Sequence, residues 1–219
     1  MSRENIMPHA ACPKCHRPLP EGEICCAEVR CMWRCRRCFK LTSGFAIPYG
    51  RCRSCDGELQ MFTDCYAPEA ERIWAVREAV QAELDAFLFY KLARDQARQG
   101  DQRAVLERLC EAEMSVLDDL ETQYHPHLAT DVLELSPDEQ DRLTQRLFRG
   151  ICLSDHAAVR DLYQAALAME RQTRDRFRTL AGQLPEGTER KVCAELADKD
   201  DGHVALLESE LGLLARAAN

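Results

Sequence analysis

Asp200 and His203 are the pair whose types and spacing most directly promise chemistry. They stand three residues apart in Asp200-Asp201-Gly202-His203, so on a helix both project from one face. That face also carries Cys193, Leu196, Ala197, Val204 and Leu207, which reads as a core stripe. An acid and an imidazole on a core stripe are costly unless they are paired, protonated or bound to metal. The pattern recurs at a constant offset of 87 residues: Leu109, Glu113, Leu120 and Glu121 stand for Leu196, Asp200, Leu207 and Glu208, and Glu83 stands for Glu170. His203 has Val116 as its counterpart, which cannot bind metal. Two helical hairpins of this design, each with an acid on both helices, predict a four-helix bundle with a carboxylate-lined centre.

The second set of ligand-type residues is cysteine. Three Cys-x-x-Cys knuckles occur, Cys12 with Cys15, Cys35 with Cys38, and Cys52 with Cys55, the last two separated by 13 residues. Two knuckles at that spacing bring four thiolates to one tetrahedral ion, zinc or iron, so Cys35, Cys38, Cys52 and Cys55 are assigned to one site. The first knuckle needs two more ligands from Cys25, Cys26 and Cys31, with His16 behind them. Adjacent cysteines in an extended strand point to opposite faces, and the expected pair is Cys26 and Cys31. Cys65 has no evident partner.

The elements that must position these residues divide the chain in two. Ten of the 13 cysteines lie in the first 65 residues, and Ala, Leu, Glu and Arg dominate afterwards. The boundary near Ala67-Pro68 gives a cysteine-rich head (1–66) and a helical part (67–219). The helical part holds 19 Lys+Arg against 30 Asp+Glu, a formal charge of −11, and the head holds 10 against 7, or +3. The acidic balance of the helical part argues against nucleic acid as its main partner, whereas the small basic head leaves acid, protein or RNA open as contacts. No signal-peptide or membrane-length apolar run occurs. The default location is the cytoplasm, where paired cysteines are metal ligands more often than disulfides.

In the helical part, Pro68-Glu69 opens a helix running to about Gly100, and a second runs from Gln102 to Tyr124. A long connection follows, with a capped short helix starting at Ser136-Pro137-Asp138-Glu139. Its length suits a crossover of the ferritin-like kind. Ser154-Asp155 caps a helix to Gln183, and the last helix spans about 188–215.

With these motifs in place the chain resembles the rubrerythrin branch of the ferritin-like superfamily. Ala82-Glu83-Leu84-Asp85-Ala86-Phe87-Leu88-Phe89-Tyr90 looks like that family's iron-binding first helix, and Met169-Glu170-Arg171-Gln172-Thr173 like its third. Leu196 to His203 resembles the acidic run ending in Glu-x-x-His. The head resembles the rubredoxin-like module placed before the bundle, as in reverse rubrerythrins. The expected fold is thus mainly α: a ferritin-like four-helix bundle with a long crossover, preceded by a zinc-ribbon or rubredoxin-like head. The resemblance implies one or two irons held by Glu83, Glu113, Glu170, Asp200 and His203, zinc or iron at the cysteines, a homodimer and an electron-donor protein as partner. Three departures stand out: Val116, Asp200 in place of Glu, and Thr173 where the family often has a further Glu. Phe39 and Asp56 follow the two knuckles where an iron module has small residues, which favours zinc. Tyr90 and Cys110 are the candidates for a catalytic role. His125 and His127 read as a helix-end cap, and Cys152 and His156 as structural or surface residues.

Two functions of different class follow. One is a non-haem iron oxidoreductase acting on peroxide or ferrous iron, with the head delivering electrons if it holds iron. The other is a non-enzymatic zinc-binding adaptor whose bundle is a degenerate scaffold.

Overall fold

The computed structural model describes residues 10–12, 15–19, 23–63, 70–97, 100–129, 131–151 and 158–217. The chain is mainly helical. The long helices are α1 (Ala70–Gln96), α2 (Asp101–Tyr124), α4 (Val159–Gln183) and α5 (Thr188–Ala217), with a short α3 (Pro137–Leu147) in the connection between α2 and α4. The four long helices form two hairpins, α1 with α2 and α4 with α5. Gly100, at φ 130°, makes the first turn in a conformation that side-chain-bearing residues avoid. His125 ends α2 in the left-handed conformation, its N–H on Glu121 O, and Pro126 follows. The two hairpins share one core, in which Leu84, Leu88, Leu106, Leu109, Leu162 and Leu207 are almost fully buried. Helix α1 is buried around most of its circumference because the hairpins, the head and α3 all meet it.

The head carries two small antiparallel sheets. One pairs β1 (Ala10–Ala11) with β2 (Pro18–Leu19); the other has the order β4 (Leu41–Ser43), β3 (Met32–Cys35), β5 (Leu59–Thr63). Trp33 turns inward and donates from Nε1 to Gly44 O at 2.8 Å. The sequence boundary at 66/67 does not divide the packing. Ile24, Cys26, Phe45 and Ala46 of the head belong to the same apolar core as the helices. Backbone bonds tie the parts as well, from Cys26 N–H to Tyr124 O at 2.7 Å and from Phe45 N–H to His127 O. The starts expected at Pro68-Glu69 and Ser154-Asp155 lie outside the described residues.

Arg53, inside the third knuckle, docks the head on α3. It pairs with Glu139 and Asp131, with one Glu139 bond at 2.9 Å, and receives at its carbonyl a bond from Arg142 at 2.6 Å. Glu139 also accepts from the Ser136 N–H (3.0 Å) and hydroxyl (2.6 Å), completing the N-terminal cap of α3. These donors, the Arg53 hydrogen bond foremost, hold the buried Glu139 carboxyl down to about 2 from its ordinary 4.5. A depressed acid stabilises the fold above its unfolded pKa, and that contribution fades as pH falls toward the folded value. Discounted for the partly exposed Arg53, it amounts to about 1–2 kcal/mol. Glu139→Gln should therefore lower the melting temperature at neutral pH by about 3–6 °C and narrow its gap to the wild type between pH 4.5 and 2. Melting curves across that range check it.

Candidate metal centres

The three Cys-x-x-Cys segments repeat one backbone. The first cysteine of each donates its N–H to the carbonyl five residues on: Cys12 to Arg17 (2.9 Å), Cys35 to Lys40 (3.0 Å) and Cys52 to Gly57 (2.9 Å). The amide four residues on returns to that cysteine's carbonyl, from His16 (2.9 Å), Phe39 (3.0 Å) and Asp56 (2.8 Å). His16, Phe39 and Asp56 all sit in the left-handed region, at φ 57°, 59° and 55°. That conformation costs a side-chain-bearing residue about 1 kcal/mol or more, so three repetitions point to a turn held for what it presents. It presents sulfur with amides behind it. The Arg37 and Cys38 N–H groups aim at Cys35 Sγ at 3.3 and 3.4 Å. These bonds, the Cys38 amide first, outweigh burial and lower the Cys35 thiol to about 6.

Cys35, Cys38, Cys52 and Cys55 converge as expected, with all four sulfurs within 4.8 Å of one another. Cys35 and Cys55 are 3.6 Å apart and Cys38 and Cys52 3.7 Å. A tetrahedral thiolate site with metal–sulfur bonds of about 2.3 Å has sulfur–sulfur edges of about 3.8 Å, which these two separations match. Gly57 is part of the site, since a Cβ there would lie 2.7 Å from Cys35 Sγ and 3.3 Å from Cys55 Sγ.

The first knuckle corrects one expectation. The thiols that gather are Cys12, Cys15 and Cys25, with Cys15 and Cys25 3.5 Å apart, and not Cys26 with Cys31. The alternation of adjacent cysteines holds, but Cys25 takes the knuckle face. Cys26 turns into the core shared with the helices, and Cys31 packs among Trp33, Cys35 and Ile47.

The acidic cluster lies inside the helices. Glu83 comes from α1, Glu113 from α2, Glu170 from α4, and Asp200 with His203 from α5; each acid is at most 3 % exposed. His203 Nδ1 stands 3.2 Å from Glu113 Oε1 and 3.4 Å from Glu170 Oε2. Yet Nδ1, both Glu113 oxygens, Glu83 Oε1 and Asp200 Oδ2 are buried without a directed hydrogen bond. These atoms lie close together without the directed hydrogen bonds that would satisfy them. Buried polar atoms left unpaired are destabilising by about 1–3 kcal/mol each, which a cation among them would reverse. Glu113, Glu170 and His203 bring donor atoms within 4.8 Å of one another and form the tightest part of the cluster.

The electrostatics agree. Burial, then the neighbouring Glu113, pushes Glu83 well above its ordinary value. Burial, then Glu170 and Glu113, raises Asp200 to about 8. Burial alone would lower His203, but the close carboxylates of Glu113 and Glu170 win and push it up to about 10. Four acids around one imidazole hold more negative charge than the site can keep without protons or a metal. The residues present therefore fit a metal ion. Tyr90 donates its hydroxyl to Glu170 Oε1. Val116 is buried and offers no donor where a sixth side chain of ligand type would complete a symmetric pair.

Other candidates fall elsewhere. Arg94 donates to Cys110 Sγ at 3.8 Å; burial raises this thiol, and Arg94, Asp95, Lys91 and Glu107 are the charges that act on it most. His125 caps α2 as expected, and the His127 carbonyl receives Phe45 N–H. Cys65, Cys152 and His156 lie outside the described residues. Sequence reading missed a clasp in which Gln81 and Asp85 of α1 bind the turn before Cys52, through Ile47 N–H (3.1 Å), Ile47 O (2.8 Å) and Tyr49 N–H (2.6 Å). The only hint was two polar residues one turn apart on α1.

These features define a mainly α-helical chain with two cysteine groups and one carboxylate–histidine group arranged to hold metal ions. No family model matches the chain, and comparison with curated proteins gives no match. Among solved structures it is similar to a hypothetical protein from Pyrococcus furiosus at 18% identity and a TM-score of 0.46, over 65% of this chain and 89% of that one. That level assigns neither fold nor function. Among the described residues no helix is long and apolar enough to cross a membrane.

Proposed function

We propose that the chain is a rubrerythrin-like non-haem iron protein with a ferritin-like bundle, active on peroxide or ferrous iron. The observation that carries this reading is the buried cluster of five ligand-type side chains from four helices, of which Glu113, Glu170 and His203 bring donor atoms within 4.8 Å of one another and Glu83, Glu113, Asp200 and His203 keep buried polar atoms without a directed hydrogen bond. Iron bound there would supply one-electron redox chemistry. Glu113, Glu170 and His203 would hold one ion as a compact three-donor face, and Glu83 and Asp200 the other side. Tyr90 fixes the orientation of Glu170 and keeps a proton at the edge of the cluster. The enclosing apolar residues limit water access, which strengthens every charge interaction inside.

Val116 favours a weaker second position, and at the extreme a zinc-stabilised scaffold without redox activity. Elemental analysis of protein purified without oxygen or added metal separates the readings. Iron beyond the content of the cysteine sites supports a live centre; zinc alone overturns it. Val116→His tests the asymmetry: restoring a donor should raise iron from about one to about two per chain and strengthen the weaker class of sites by about 10–100-fold. An unchanged titration would show that Val116 does not limit the second position.

A further inference from the structure

The outer face of the β4–β3–β5 sheet gathers exposed apolar side chains. Among the described residues four large apolar side chains are strongly exposed, and three of them gather here: Phe39 at 63 %, Phe62 at 56 % and Leu41 at 49 %. Arg34 pairs across the sheet with Leu41 on one side and Gln60 on the other, so these project from the same face. Its guanidinium stacks on both rings, 5.2 Å from the Phe39 centroid and 5.9 Å from that of Phe62. Together with Arg36, Gln60 and Met61 they line an open groove of about 560 Å³.

The charge around the groove is one-sided. The charged residues that line the groove, Arg34 and Arg36, are both cations, and the adjoining segment 30–40 adds Arg30, Arg37 and Lys40 and no acid, with Arg37 donating to Cys55 O and Lys40 to Ser54 Oγ. Glu58, at the edge of β5, is paired with Arg36 at 3.2 Å. Four thiolates on a dication carry two negative charges, which these cations outnumber. The face would repel a second copy of itself, and it contrasts with the acidic helices. Exposed flat rings separated by a stacked guanidinium, with further cations alongside, match the two needs of a single-stranded nucleic acid: a π-face for each base and a positive charge for each phosphate.

We propose that this sheet face binds single-stranded nucleic acid, with bases stacked on Phe39 and Phe62 and phosphates held by Arg34, Arg36, Arg37 and Lys40. Duplex does not fit this mode, because its bases are already stacked on each other. The inference is independent of the helical centre and of the redox reading.

The test is fluorescence anisotropy of the full metal-loaded chain with labelled oligothymidylate and oligouridylate of about eight nucleotides, the same lengths as duplex, and an Asp/Glu-rich peptide. Single strands are expected to bind more tightly than duplex or peptide, with log K falling against log salt by about 0.7 per phosphate contacted. Phe39→Ala and Phe62→Ala should each weaken binding about tenfold, while Phe62→Trp retains it and Leu213→Ala, on α5, leaves it unchanged. No binding at low salt, binding indifferent to both phenylalanines, or preference for the acidic peptide would overturn the proposal; the last would mark the face as a protein-docking surface.

Discussion

Glu113→Gln is expected to abolish tight metal binding at the helical centre and to leave the ion on the four cysteines in place. Both oxygens of Glu113 are buried without a directed hydrogen bond, and one lies 3.2 Å from His203 Nδ1. An amide keeps the shape but removes a negative charge and turns one acceptor into a donor pointed at the ion. Loss of a supporting group around a metal typically weakens affinity by about 10–100-fold, and a direct ligand should cost more. The effect on stability is different without metal. Glu83 and Asp200 are raised partly by the charge of Glu113, and His203 is raised by it as well, so the variant relieves two acids, deprives one imidazole, and without metal should stay close in stability to the metal-free parent. A ligand at about 1,000 times its dissociation constant stabilises by about 4 kcal/mol, near 10 °C for a chain of this size. Added ferrous iron should raise the melting temperature of the parent by that amount and leave Glu113→Gln unmoved. Equal iron content in both, or a variant destabilised with and without metal, would show that Glu113 is structural.

Cys35→Ser should cost more than one ion. Cys35 belongs to β3, is completely buried, and receives two amide hydrogen bonds at its sulfur. Structural zinc sites of this kind contribute about 10–16 kcal/mol of folding free energy at neutral pH. The damage should not stop at the head, because Phe45 and Ala46 are fully buried in the core of the helices and the 47–49 turn is clasped by α1. The expected result is a chain short of one metal equivalent, with altered Trp33 fluorescence and a melting temperature lower by more than about 10 °C. Helical melting that stays at the parental temperature while the metal is lost would show that the two parts fold separately, and would refute the shared core.

Both predictions rest on residues that could be named from the sequence, for a common reason. Helical periodicity and Cys-x-x-Cys spacing are local properties: a three-residue step puts Asp200 and His203 on one face whatever surrounds them, and two knuckles can hardly do anything else but meet. The capping box at Ser136 and Glu139 is equally local. The sequence could not show which of two adjacent cysteines faces the knuckle, because strand alternation says only that Cys25 and Cys26 diverge; the demand of the helical core for Cys26 settled it. Nor could it place Arg53 on Glu139, 86 residues away, or join Phe45 to the core of the helices. Those contacts come from the docking of separately formed elements, where burial and charge pairing choose among partners that local pattern leaves equivalent. The sequence alone thus determined which side chains are ligand types and which face each occupies. Only the tertiary structure decided that they cluster in one buried site, with Glu113, Glu170 and His203 in closest approach, and that Arg34, Phe39 and Phe62 stand together in solvent.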